Sequence, residues 1–304
     1  MKIAVIGSTM MDVVSYVDKA PAYGEAATAK DFHIACGGKG ANQAIVLSRL
    51  DAEVLMVSAV GDDLFGQTAR ENFQRNGIDT SHVYTAQNIS NGTVTIWVEK
   101  SGQYRSILYR GANDFLTPEV MMKAADDLKT CGLIILQLEI PLETVYAAID
   151  FADKNKIPLI LNPAPMNKNL SLEKVCGCEF VVPNETELKI LTGMSVDTID
   201  EIKLAAKNLL NRGLKNVIVT MGSRGSIWLA EGVEEFVPTL KVESVDSTGA
   251  GDAYIGCFAE TFIRTGKILE SMQRASKYAA LSVTRKGTQD SYLTAAEFIL
   301  KDVK

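Results

Sequence analysis

The sequence predicts an α/β fold, a mainly parallel sheet with helices on both faces and a small second sheet beside it. Three observations carry this. Strand-like and helix-like hydrophobic patterns alternate through most of the chain, the order that builds parallel sheets through right-handed crossovers. Two stretches, about 12–34 and 91–109, interrupt the alternation with strand-like pieces and little helix. Finally, 304 residues of which 47% are hydrophobic suffice for one large domain or for two.

The elements follow in order. Residues 2–7 form a short apolar strand ending in glycine, without the length or cleavage site of a signal peptide. Residues 40–50 have helical spacing, 53–60 read as a strand, and 64–76 as a helix. A buried strand at 133–138 is followed by a helix at 142–155 and a strand at 158–162. After a strand at 180–182, helices at 185–191 and 199–212 lead to a strand at 216–221. Residues 249–264 and 268–285 read as two long helices packed together. Within the interruptions, TVTIWVEK-SGQ-YRSILYR reads as a hairpin turning at Ser101-Gly102. Its strands can pair with pieces of 12–34 into a lid over the C-terminal strand ends, where open α/β sheets bind ligands. There is no internal repeat and no low-complexity segment.

Composition excludes several functions. A net charge of −6 argues against a nucleic-acid binder with a basic surface. No apolar run approaches the roughly 18 residues of a membrane span. Cys36, Cys131, Cys176, Cys178 and Cys257 are few, odd in number and scattered, which points to reduced thiols and a cytoplasmic protein. Neither the lone Cys176-Gly-Cys178 pair nor His33 and His82 has metal spacing, and there is no GxSxG elbow.

The chemistry gathers around VDSTGAGD, at 245–252. A helix N-terminus offers unpaired N–H groups and a partial positive charge. Small residues let an anion approach that backbone closely. Gly249-Ala250-Gly251 therefore reads as an anion cradle, with Asp252 in the first turn of the helix. A plain glycine turn with a dipole-favouring acid is the plainer alternative, so the other phosphate-handling parts matter. TMGSRG, at 220–225, follows a strand and can hold nucleotide phosphates or a ribose, or be a hairpin turn. PNETE, at 183–187, opens a helix; Asn184 and Glu187 can organise hydrated Mg²⁺ or form a capping box. CGGKGANQ, at 36–43, permits close approach of a small polyol, with Lys39 and Asn42 as polar groups. It is not a Walker loop, because Gly40 replaces the Ser/Thr after the lysine. Asp12, five residues after the first strand-like run, can take two hydroxyls or be an exposed loop acid. Together these parts point to phosphoryl transfer onto a hydroxyl, by positioning and electrostatics, with one carboxylate taking the proton.

In this combination the chain resembles the ribokinase-like family of carbohydrate kinases. The resemblance runs from GGKGAN at 37–42 through NPAP at 162–165, PNETE, TMGSRG and DSTGAGD to VTRKGTQ at 283–289. It implies a single domain over 1–304, a three-layer sandwich with a mainly parallel central sheet and a small β-sheet lid, often used for dimerisation. It implies Asp252 as general base, with Gly249, Ala250 and Gly251 forming the anion hole. Sugar contacts carry over to Asp12, Gly38, Lys39, Asn42, Glu139 and Asp252. ATP contacts carry over to Asn184, Thr220, Gly222, Ser223, Gly225, Gly251 and Ser276. Glu187 falls at the magnesium-organising acid. A monovalent-cation loop that takes K⁺ maps to Asp246, Thr248, Ser282, Arg285, Gly287 and Ser291, several of them through backbone carbonyls.

The sugar is a finer question. Ribokinases resembling this chain carry Asn two residues before the first sugar-binding Asp; here that position is Met10. A thioether hardly hydrogen-bonds a hydroxyl, so Met10 suits hydrogen at the sugar's 2-position. The pattern is similar to that of deoxyribokinases and implies 2-deoxy-D-ribose, with D-ribose next and a nucleoside after it. Met10 as plain core is the alternative. Two other classes stand against the kinase reading. A sugar-binding regulator on this fold conflicts with the intact cradle and Asp252, and a dinucleotide-dependent oxidoreductase with the missing GxGxxG after Gly7.

Overall fold

The computed structural model describes residues 1–101 and 103–302. The first half runs β1 (Ile3–Ile6), β2 (Met10–Val17), β3 (Asp31–Gly37), α1 (Lys39–Arg49), β4 (Val54–Gly61), α2 (Leu64–Arg75), β5 (Asp79–Ala86), β6 (Gly92–Glu99) and β7 (Tyr104–Tyr109). Two short helices follow, α3 (Pro118–Met121) and α4 (Ala125–Leu128), then β8 (Leu133–Leu136), α5 (Leu142–Asn155), β9 (Leu159–Leu161) and β10 (Phe180–Val181). The rest is α6 (Glu185–Thr192), α7 (Ile199–Asn211), β11 (Val217–Thr220), β12 (Ser226–Ala230), β13 (Val233–Val237), α8 (Ala250–Thr265), α9 (Ile268–Ser282) and α10 (Ala295–Asp302).

Nine strands form the main sheet in the order β13-β12-β11-β10-β9-β8-β1-β4-β5. Seven of them run parallel, and β12 and β13 close one edge antiparallel. Alternating side chains feed two cores. Ile3 and Val5 of β1 pack with α1, α2, α8 and α9 on one face. Ala4 and Ile6 pack with α3 to α7 on the other. The expected three-layer sandwich is therefore present.

The interruptions also pair as expected, in a separate sheet ordered β3-β2-β6-β7. Its centre is a parallel β2–β6 pair flanked by antiparallel neighbours. The β6–β7 hairpin forms, with Glu99 N–H donating to Gln103 O (2.8 Å). Gly102 of the anticipated turn lies outside the described residues.

Some elements escape the sequence pattern. β5 and β13 are edge strands with few buried positions, so they show no apolar run. α9 ends at Ser282, not at 285. The chain tightens there: Thr284 and Arg285 N–H donate three residues back, and Val283 O accepts from Val245 and Asp246 N–H instead of continuing the helix. Among the described residues, no helix is long and apolar enough to cross a membrane.

Candidate active site

Helix α8 starts where its glycines allow. Gly249 sits at φ +77°, and a Cβ there would come within 2.5 Å of Thr288 and of Tyr292. Gly251 opens into free space. No side chain caps α8; Ala250 N–H donates to Ser247 O (3.2 Å), so the Gly251 and Asp252 amides are left for a ligand. One turn into the helix the Asp252 carboxylate is buried. Asn42 Nδ2 donates to its Oδ2 (3.0 Å) and Gln43 Nε2 to its Oδ1 (2.9 Å), both from α1. The two helices come this close because Gly256, one turn beyond Asp252, meets Val46: a Cβ there would lie 2.6 Å from Val46 Cγ1.

A charged cluster surrounds Asp252. Asp12 is neither a loop residue nor exposed; it stands on β2, half-buried against Gly37. Glu139 is buried and accepts from Ser8 Oγ and from Lys39 N–H (2.9 Å). Burial raises the Glu139 carboxyl, against the pull of the Lys39 ammonium. The Asp252 charge, with Glu139 and Glu187, raises Lys39 despite its burial. Burial, then the Glu139 and Asp252 charges, push Asp12 from 3.8 up to about 6. Acids thus outnumber the single lysine in this cluster.

Asp12 yields a prediction. Its raised value adds stability that is full below pH 3.8 and lost as pH rises through about 6. At neutral pH the ionised group therefore costs up to about 3 kcal/mol. Asp12→Asn is expected to raise the unfolding midpoint at neutral pH while lowering kcat/KM for the sugar. In the unsubstituted enzyme kcat/KM should fall as pH drops below about 6. Denaturant melts of both proteins and a pH–rate series check this.

The two nucleotide-type loops meet. Thr220 N–H donates to Pro183 O (3.0 Å), and Asn184 bridges Thr220 in parallel register. Asn184 and Glu187 form the capping box, and burial raises the Glu187 carboxyl. Gly222, Ser223 and Gly225 make the turn of the β11–β12 hairpin, so this stretch is a hairpin turn at the strand end that also meets Asn184. Gly225, at φ +98°, backs onto Val237 and Pro238, and Ser276 Oγ donates to Pro238 O (3.2 Å).

The loop before α8 is tied to the one after α9. Asp246 accepts from Thr248 N–H (2.9 Å) and Gly287 N–H (3.1 Å). These bonds hold its carboxyl below the usual range although burial pushes the other way. The Ser282 and Ser291 hydroxyls donate to nearby carbonyls, and the Arg285 guanidinium pairs with Glu297 (2.9 Å). Backbone oxygens, Asp246 and the lone pairs these hydroxyls keep are the oxygens the two loops offer a cation.

Met10 heads β2, with no exposed surface. Its Sδ fills the space a side chain at Gly92 would need and lies 3.4 Å from Asn113 Nδ2. Strand alternation puts Met10 and Asp12 on one face, and Met10 adjoins Gly38. Gln43 and Gln289, whose Nε2 donates to Asn42 Oδ1 (3.0 Å), are site residues that sequence reasoning missed. The available signals were that Gln43 follows Asn42 at the start of an apolar helix and that Gln289 ends the VTRKGTQ run.

A helix start without a side-chain cap beside a buried, amide-held aspartate is an arrangement that suits transfer of a phosphoryl group to an alcohol. The profile of the pfkB family carbohydrate kinases matches residues 1–295, and the chain belongs to that family: it is a phosphotransferase acting on a sugar hydroxyl. The chain is 48% identical over 298 residues to the deoxyribokinase of Salmonella typhi, spanning 98% of this chain and 97% of that one. It is 35% identical over 295 residues to the ribokinase of Haemophilus influenzae, spanning 97% and 96%. The structure of Arabidopsis thaliana ribokinase complexed with ribose and ATP matches with a TM-score of 0.91 at 28% identity, over 98% of this chain and 97% of that one.

Proposed function

We propose that this kinase transfers the γ-phosphoryl group of ATP to the 5-hydroxyl of 2-deoxy-D-ribose, giving 2-deoxy-D-ribose 5-phosphate. The observation that carries it is the buried Asp252 carboxylate beside the uncapped start of α8. Asp252 takes the 5-hydroxyl proton as the sugar oxygen bonds to the γ-phosphorus. The bond from that phosphorus to the bridging oxygen breaks, and ADP leaves. The amides of 250–252 face the charge of the moving group, Ala250 N–H releasing Ser247 O to do so, and Gly249 permits their geometry. Asp12, Gly38, Lys39, Asn42 and Glu139 hold the sugar. Asn184, Thr220, Gly222, Ser223, Gly225, Gly251 and Ser276 hold ATP. The similarity to a deoxyribokinase at 48% identity supports deoxyribose as the acceptor. Turnover of the two pentoses side by side tests it. One observation favours D-ribose as a second reading: Met10 shows no surface to solvent, so the 2-position can be read elsewhere.

Glu187 would organise Mg²⁺ through water: both its oxygens accept from Asn184 and keep lone pairs for a bound water. When bound, Mg²⁺ neutralises charge on the phosphate oxygens. The Asp246 loop, including Thr248, Ser282, Arg285, Gly287 and Ser291, would hold K⁺ mainly through carbonyls. Replacing K⁺ by tetramethylammonium should lower kcat several-fold, and Asp246→Ala should remove that dependence; equal rates in both salts would remove the cation site.

The domain reading is one kinase domain over 1–304 with the second sheet as lid. Tyr16, Phe32, Ile34, Tyr104 and Ile107 expose apolar surface on that sheet, which supports a homodimer formed through it. A cytoplasmic place, with all five cysteines free, belongs to the same proposal.

A further inference from the structure

Asp252 is held more elaborately than proton transfer alone demands. Gln43 has no exposed surface; its Nε2 donates to Asp252 Oδ1 (2.9 Å) and, at 3.3 Å, to Asn162 Oδ1. A carboxylate only accepts, so this contact decides which way the Gln43 amide faces and turns its Oε1 away from the base. That oxygen accepts from Gln137 Nε2 at 2.7 Å. Gln137, just after β8, is also fully buried. With its nitrogen committed to Gln43, its own Oε1 has no partner among the described residues. It presses on Gly7, where any side chain would collide with it.

An unpaired buried acceptor is unfavourable, and an apolar side chain of similar size would avoid it. Position 137 therefore sacrifices local stability for one contact, the bond to Gln43, and such local violations mark functional positions. The geometry points to Gln137 and Gln43 as a two-amide relay that positions Asp252. Gln137 fixes the Gln43 amide, and Gln43 and Asn42 each occupy one carboxylate oxygen. The plane of the carboxylate is thereby set, and one lone pair on each oxygen is left for the acceptor hydroxyl. Neither glutamine has surface through which to meet the sugar, so both act through the base. The relay rests on Asp252 being the general base.

The test uses Gln43→Met and Gln137→Met, which keep volume and remove the amides, beside Asp252→Asn. With 2-deoxy-D-ribose and ATP, Gln43→Met should lower kcat by about 10- to 100-fold, the scale of one lost hydrogen bond to a charged group. Both KM values should stay within about threefold. Gln137→Met should do the same more weakly without touching Asp252, and it decides the matter if Gln43→Met does not fold. A kcat within about twofold, or a fall in kcat accompanied by a rise of more than about threefold in either KM, overturns the relay. If Asp252→Asn turns over normally, the base reading itself fails; if it is inactive while both glutamine variants behave normally, only the relay fails.

Discussion

Asp252→Asn is expected to lose most turnover while binding sugar and ATP within a few-fold of normal. A general base contributes about 10²- to 10⁴-fold, and asparagine keeps the shape while losing the ability to take a proton. The surroundings support separate effects on binding and chemistry. Lys39, Glu139 and Asp12 remain, and the start of α8 keeps its glycines. The two amides that hold Asp252 would still find one acceptor oxygen between them. Single-turnover phosphorylation together with calorimetric binding of sugar and of a non-hydrolysable ATP analogue separates the two. Near-normal turnover would remove Asp252 as the base and leave its two amide partners as core packing.

The second large effect is expected at Met10. Met10→Asn should shift the kcat/KM ratio toward D-ribose by about 5- to 150-fold, the range of one buried hydroxyl gaining a partner. The unsubstituted enzyme should still use ribose slowly, because an apolar wall rejects an added hydroxyl by only about 10². Met10 fits this part by position: it shares a face of β2 with Asp12 and lies against Gly38. Since its side chain is buried, it would act by filling the space where a hydroxyl-binding amide would stand. Met10→Leu, equally apolar, should keep the original preference. An unchanged ratio in Met10→Asn would make the residue packing for Gly92 and Asn113.

How legible this was in the sequence differs by element. The strands buried on both faces announced themselves as short apolar runs, as at β1 and β8, because everything around them is core. β5 and β13 face solvent at the sheet edges, so their order comes from one neighbouring strand and not from their own pattern. At the site, glycine and a carboxylate at a helix start carry their chemistry in their identity, so Gly249 to Asp252 could be read directly. Gln43 and Gln137 could not. A neutral amide gains a role only from its partner, and Gln43 finds Asp252 from 209 positions away. Asp12 was legible as an acid, but its shift to about 6 comes from burial and from Glu139 and Asp252, which only the fold brings near.

The most direct test of the account is kcat/KM for 2-deoxy-D-ribose and D-ribose side by side, with ATP, Mg²⁺ and K⁺ and the phosphorylated position identified. The account predicts phosphorylation at the 5-hydroxyl, with 2-deoxy-D-ribose preferred by about 5- to 150-fold. A preference for D-ribose, or turnover of neither pentose, would contradict it.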